Sequence, residues 1–187
     1  MMIKAIALDL VGVYLREKSI ELTATEKEIG SNFGLHGKDS QFIQYISKHT
    51  GKTPEEAAAA TRQLIERLYE IREPDLFSKL PTLSFAVATS HQTYILDWLK
   101  TKPETHAFNY AISTGETGLT KADPLFFRTL SERICVEPNE VLFIDDHLDN
   151  CRVAQSIGMR VHYFQPGEVL SDVILSALSG KSGRPKL

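Results

Sequence analysis

Apolar residues along this chain follow two rhythms. At 3–13, 83–90, 108–112, 140–144 and 160–164 they form short, nearly continuous runs, the pattern of strands buried on both faces of a parallel sheet. Elsewhere they recur at three- or four-residue spacing, the mark of a one-sided helix. Phe42, Ile43 and Ile46 predict one such helix over 39–49. Gly51 ends it and Thr53 starts the next: Thr53 suits an N-cap, Pro54 the first helical position, and Glu56 can close a capping box. That helix carries Leu64, Ile65, Leu68 and Ile71 on one side and is expected to end before Pro74. Tyr94, Ile95, Trp98 and Leu99 form the stripe of another helix, and further helices are expected over 123–135 and up to Gly158.

Strands alternating with helices in this order predict an α/β protein with a doubly wound parallel sheet. The stretch from 15 to 80 breaks the alternation. It lacks buried-strand runs and is too long for a single crossover helix, so it is expected to be an inserted α-helical domain, a candidate lid over the strand ends. The expected organisation is therefore a core of residues 1–14 and 81–178, a helical insertion of 15–80, and a tail of 179–187 whose linker-like composition predicts disorder. There is no internal repeat and no glycine-rich dinucleotide or P-loop pattern.

Composition narrows the partners. A chain of 187 residues fits one domain, or one with a sizeable insertion. A formal net charge of -3 gives no electrostatic case for nucleic acid or an anionic membrane. No apolar run reaches transmembrane length and the start lacks the regions of a signal peptide, so the cytoplasm is the expected compartment. Cys135 and Cys151 have no metal-site or redox spacing and are expected to be buried, reduced thiols.

The polar residues that close the buried runs are the candidates for chemistry. They are Asp9, then Thr89 and Ser90, then Lys121 in the loop after the third run, then Asp145, Asp146 and Asp149. A parallel sheet would gather all of them at one edge, where open α/β sheets form their ligand crevice. Singly, each has a structural alternative: Asp145 and Asp149 as helix caps, Lys121 as a solvated loop lysine, Thr89 as an N-cap. Together they match the needs of phosphoryl transfer. Asp9 would attack phosphorus. Thr89 and the N–H groups opening the next helix would hold a phosphate oxygen, and Lys121 would balance charge. The acidic pair implies a hard cation, Mg²⁺, and the substrate implied is a phosphorylated molecule.

These motifs resemble the haloacid dehalogenase-like (HAD) hydrolase superfamily. Asp9-Leu10-Val11-Gly12-Val13 matches its DxDG[TV] motif except at the second aspartate, and Thr89-Ser90 matches the second motif. Gly118-Leu119-Thr120-Lys121 resembles the third, with Ala122 in place of proline. The segment from Phe143 through Asp145, Asp146 and Asn150 resembles the fourth in its DDxxxN form, most similar to the phosphatase domain of soluble epoxide hydrolases and related sugar-phosphate phosphatases. The resemblance implies a Rossmann-like core with a type 1 helical cap over 15–80, and such a cap implies a small, enclosable phosphorylated substrate. It implies Asp9 as nucleophile and metal ligand, Asp146 as the second carboxylate ligand with Asp145 beside or behind it, and the Val11 backbone carbonyl as a further ligand. Thr89, Ser90 and Lys121 would bind the phosphoryl group. Val11 stands where typical phosphatases of the family place the acid that protonates the leaving group, help typically worth ~10²–10⁴-fold. Three readings follow: a slow Mg²⁺-dependent phosphatase using His147, His91 or a cap residue as proton source; a catalytically silent member that binds a phosphorylated ligand or a protein; and a metal-independent 2-haloacid dehalogenase.

Overall fold

A computed structural model describes residues 2–180. The first apolar run supplies β1 (Ala5–Leu8), all four residues fully buried. The chain turns through 9–14 into β2 (Leu15–Glu17), passes through helices α1 (Ala24–Ser31), α2 (Asp39–Thr50) and α3 (Pro54–Leu68), and returns along β3 (Tyr69–Ile71). Then follow β4 (Ser84–Thr89), α4 (Thr93–Lys100), β5 (Phe108–Ser113), the single turn α5 (Thr114–Thr117) and α6 (Pro124–Ile134). The described chain closes with β6 (Val141–Asp145), α7 (Leu148–Ser156), β7 (Arg160–Tyr163) and α8 (Leu170–Leu178). No helix among the described residues is long and apolar enough to cross a membrane.

Five strands form one parallel sheet in the order β5-β4-β1-β6-β7. After β1 the chain builds outward through β4 and β5, then crosses to the other side of β1 for β6 and β7. The strand order therefore reverses beside β1, the position at which open sheets leave a crevice. One face of the sheet, with Ile6, Leu8, Val87, Leu142 and Ile144, packs against α4, α8 and residues of the insertion. The other, with Ala5, Ala7, Ala86, Ala88 and Phe143, packs against Phe126, Phe127 and Leu130 of α6 and against Cys151 and Ala154 of α7. Helices on both faces make this the doubly wound sheet that the alternation predicts.

Several details differ from expectation. Residues 15–80 are not wholly helical: β2 and β3 pair antiparallel, Leu15 opposite Ile71 and Glu17 opposite Tyr69. Ile71 thus lies in a strand, not on the last helix of the insertion. Three-residue strands are too short to display an alternating pattern, so the ribbon leaves no mark in the periodicity. Helix α8 was not expected either, because Val169 and Leu175 are exposed and blur its apolar side. Cys151 is buried, but Cys135 is exposed at the end of α6 in a left-handed conformation. From residue 181 onward, the tail expected to be disordered lies outside the described residues.

Local signals fix the insertion's helices. The Thr53 hydroxyl accepts the Glu56 N–H at 3.2 Å while the Glu56 carboxylate accepts the Thr53 N–H at 2.8 Å, closing the expected box. Thr23 and Glu26 repeat the device at α1, and Arg67 of α3 pairs with Glu26. Two contacts tie the insertion to the start of α4. The Gln92 side-chain oxygen accepts the Gly34 N–H at 3.0 Å, and Asp39, in the first turn of α2, accepts the Thr93 N–H at 3.0 Å as well as its hydroxyl.

Asp39→Ala removes the acceptor of an otherwise unpaired helix-start N–H and is expected to cost about 1–2 kcal/mol in urea unfolding. An unchanged midpoint would show that Asp39 does not hold the insertion in place.

Candidate active site

The register of the central strands brings the acidic residues together. Leu8 pairs with Val87 on one side and Ile144 on the other. One residue further, Asp9 and Asp145 follow as neighbours, on the face that carries Ala5, Ala7 and Phe143. The Asp9 N–H extends the ladder to the Ile144 carbonyl at 2.9 Å. Lys121 reaches in from the loop after α5, its Nζ 2.5 Å from Asp9 Oδ1, 2.8 Å from Asp145 Oδ2 and 5.5 Å above the Phe143 ring. All three charged groups are buried.

Asp145 and Asp146 are adjacent in sequence and differently placed. Asp145 is enclosed: besides Lys121, it accepts the His147 N–H at 2.7 Å and the Asn150 amide at 3.1 Å on both oxygens. Asp146 is only half-buried, with Oδ1 2.9 Å from His147 Nδ1. Its carboxylate lies against the loop after β1, where a Cβ on Gly12 would stand 2.0 Å from Asp146 Oδ2. With φ at +98°, Gly12 is the residue type that both the turn and this close approach require. Arg72, just after β3, holds the same loop by donating to the Gly12 and Val13 carbonyls at 2.9 and 3.0 Å.

Thr89 ends β4, its hydroxyl accepting the His91 N–H at 3.2 Å. Thr89 and Ser90 line a cleft of about 380 Å³ together with Asp9, Val11, Lys121, His147 and Asn150. Glu17, Gly30, Phe33 and Tyr69 of the insertion, with His91 after β4, complete its lining. Asp145 lies beneath the cleft and Asp146 beside it. Asp149 points away and pairs with Arg152 at 3.0 Å. Glu17, Phe33, Tyr69 and Arg72 escape sequence reasoning because the fold-back of the ribbon, a distant-contact event, brings them here. A hollow of about 460 Å³ between α4 and the edge strand β5 has no carboxylate in its lining.

Burial pushes the Asp9 carboxyl up to about 7, with Asp145 and Asp146 adding to the shift and Lys121 opposing it. Burial also works against the Lys121 charge, but Asp9 and Asp145 outweigh it and hold its pKa above the ordinary value. His91 is enclosed and pushed down to about 3 by burial; it is neutral, with Nε2 3.2 Å from the Tyr69 hydroxyl and its ring 3.8 Å from that of Phe33. At His147 partial burial opposes protonation, but Asp146 and Asp145 raise the pKa. Three carboxylates thus face one ammonium. The donor set fits a hard divalent cation such as Mg²⁺, whose preferred ligands are oxygens and whose charge would offset the surplus. Ligand atoms of Asp145, Asp146 and His147 lie within 4.8 Å of one another.

In chelator-treated protein the raised Asp9 pKa has a definite sign. Between about pH 4, where an unfolded aspartate titrates, and pH 7, the folded chain retains a proton that the unfolded chain has lost. Stability from this group is present at low pH and is lost as pH rises to 7. Asp9→Asn is expected to exceed the wild type in unfolding free energy by on the order of 2–4 kcal/mol at about pH 8, with the gap closing toward pH 4. Parallel pH profiles for the two proteins would contradict the assignment.

The same fold occurs in solved structures of HAD-family proteins. A HAD-family enzyme from Bacteroides thetaiotaomicron, in complex with magnesium and inorganic phosphate, aligns with a TM-score of 0.70 at 22% identity, covering 91% of this chain and 98% of that one. A predicted HAD-like family hydrolase from Porphyromonas gingivalis aligns at 0.72 and 21% identity, covering 95% and 98%. A HAD phosphatase from Thermococcus onnurineus aligns at 0.62 and 18% identity, also covering 95% and 98%. No protein-family profile matches the sequence. A drimenol cyclase from Aspergillus calidoustus is 40% identical over 53 residues, which are 28% of this chain and 10% of that protein. This chain has the α/β fold of the HAD-family hydrolases.

Proposed function

We propose that the protein is a Mg²⁺-dependent phosphatase of a small phosphomonoester, working through a phosphorylated Asp9. The observation that carries this reading is the Lys121 ammonium held between Asp9 and Asp145 at the point where the strand order reverses, with Asp146 beside them. The fold shared with a HAD phosphatase, and with a HAD-family enzyme in complex with magnesium and phosphate, supports it.

In this reading Asp9, Asp146 and the Val11 carbonyl hold the metal, and Asp145 orients Lys121. Bound Mg²⁺ would neutralise the phosphoryl oxygens. The Asp9 carboxylate forms the new bond to phosphorus as the bond to the leaving oxygen breaks. Lys121 favours the ionised form of Asp9, against its burial, and aims it. Thr89 and Ser90, at the end of β4, bind the phosphoryl oxygens. Water then releases phosphate and restores the carboxylate. The insertion acts as the cap, placing Glu17, Phe33 and Tyr69 around the alcohol part of the substrate.

Val11 offers no proton to the leaving oxygen. Of the histidines beside the cleft, His91 is a poor acid because burial keeps it neutral. His147 lines the cleft and has its pKa raised by Asp146 and Asp145, which makes it the better proton source. A silent, ligand-binding role is the second reading, favoured by the aliphatic Val11 in the cleft lining. Dehalogenation has less support, since a site without metal gains nothing from three carboxylates around one ammonium.

Aryl phosphate hydrolysis separates these readings, because an aryl oxide leaves without help from an acid. The rate is expected to require Mg²⁺ and to fall by about 10³-fold or more in Asp9→Asn. Absence of any rate in the wild type would favour the silent reading. Val11→Asp should raise turnover of alkyl phosphates by about 10²-fold or more, with a smaller gain on aryl phosphates. A folded variant with no such gain would show that the missing proton is not limiting.

A further inference from the structure

The cleft wall supplied by the β2–β3 ribbon has a chemistry that the phosphoryl site does not use. Opposed residues on an antiparallel pair share a face, and successive residues alternate faces. Arg16 and Glu70 are opposed and form an ion pair at 2.6 Å on the side away from the cleft. Glu17 and Tyr69 are opposed on the other side, and both line the cleft. Among the described residues Glu17 has no basic partner. Lys121 is the only lysine or arginine in the lining, and Asp9 and Asp145 already hold it. The rings of Phe33 and Tyr69 stand in the same wall.

A carboxylate exposed in the cleft wall without a counter-ion attracts a cation through direct charge. It repels a second anion. We infer that the site takes a phosphomonoester whose alcohol part carries an ammonium group, with Glu17, exposed in the cleft wall opposite Tyr69, as the residue that selects it. The inference rests on the phosphatase reading above. A carboxylate or second phosphate on the substrate would face Glu17 with no lysine or arginine beside it to offset the repulsion. The volume of about 380 Å³ lies toward the small end of ligand pockets, which suits a short aminoalkyl chain.

The test measures competitive inhibition of aryl phosphate hydrolysis, so that leaving-group chemistry does not enter. The inhibitors form a matched series: 2-aminoethyl phosphate, 2-hydroxyethyl phosphate and carboxymethyl phosphate, each with Mg²⁺ present. The ammonium compound is expected to bind about tenfold more tightly than the neutral one, and the carboxylate more weakly than either. Glu17→Gln should collapse these ratios, and Glu17→Lys should reverse them in favour of the carboxylate. A preference for the neutral or anionic compound, or ratios that persist in both variants, would overturn the inference while leaving the phosphatase reading intact. Absence of aryl phosphate hydrolysis in the wild type would remove that reading and the inference with it.

Discussion

The structure depends on a buried ammonium shared by two carboxylates on adjacent strands. Lys121 lies 2.5 Å from Asp9 and 2.8 Å from Asp145, with almost no solvent access at any of the three. Removing charges from water is costly, so such a cluster persists only where geometry supplies every partner. Here the partners come from separate parts of the chain. The ladder places Asp9 beside Asp145, and Asn150 and the His147 N–H complete the shell of Asp145. Asp9 is the member left least satisfied, and its raised pKa records that. A group so placed is the one on which chemistry is most economically built.

Much of the sheet was legible in the sequence, and the reason is physical. Strands buried on both faces must be apolar throughout, and the runs at 83–90 and 140–144 became β4 and β6 with ends shifted by a residue, while the 3–13 run forms a strand only over Ala5–Leu8. The runs that became the edge strands β5 and β7 are only partly buried, with Asn109 and Tyr110 of β5 exposed. The polar residues closing those runs stand out because the pattern stops at them. This is why Asp9, Thr89, Lys121 and Asp145 could be named in advance and are found around one cleft. The capping box at Thr53 was equally readable, since it depends on residues three apart.

What was not legible depends on contacts between distant segments. The division of labour between Asp145 and Asp146 follows from which neighbour points into the shell of Lys121 and which points toward Gly12, and nothing in the dipeptide itself says which. Glu17 and Tyr69 become neighbours only when the ribbon closes across three helices. Arg72 braces the loop after β1 from nearly sixty residues away. Each is polar or aromatic and lies off the apolar stripes, so a sequence reading has no reason to single it out. The same ribbon contributes Glu17 and Tyr69 to the cleft lining, which links an unpredicted element to the chemistry of the cleft wall.

The central claim is that the strand-end carboxylates form one site for a hard cation, with Asp146 a ligand and Asp145 a support. Thermal unfolding of wild type and Asp146→Asn, each with chelator and with millimolar Mg²⁺, tests it most directly. Binding to the folded state alone raises the unfolding temperature. The account predicts that Mg²⁺ stabilises the wild type and leaves Asp146→Asn unmoved. A wild type indifferent to Mg²⁺, or a variant stabilised to the same degree, would contradict it.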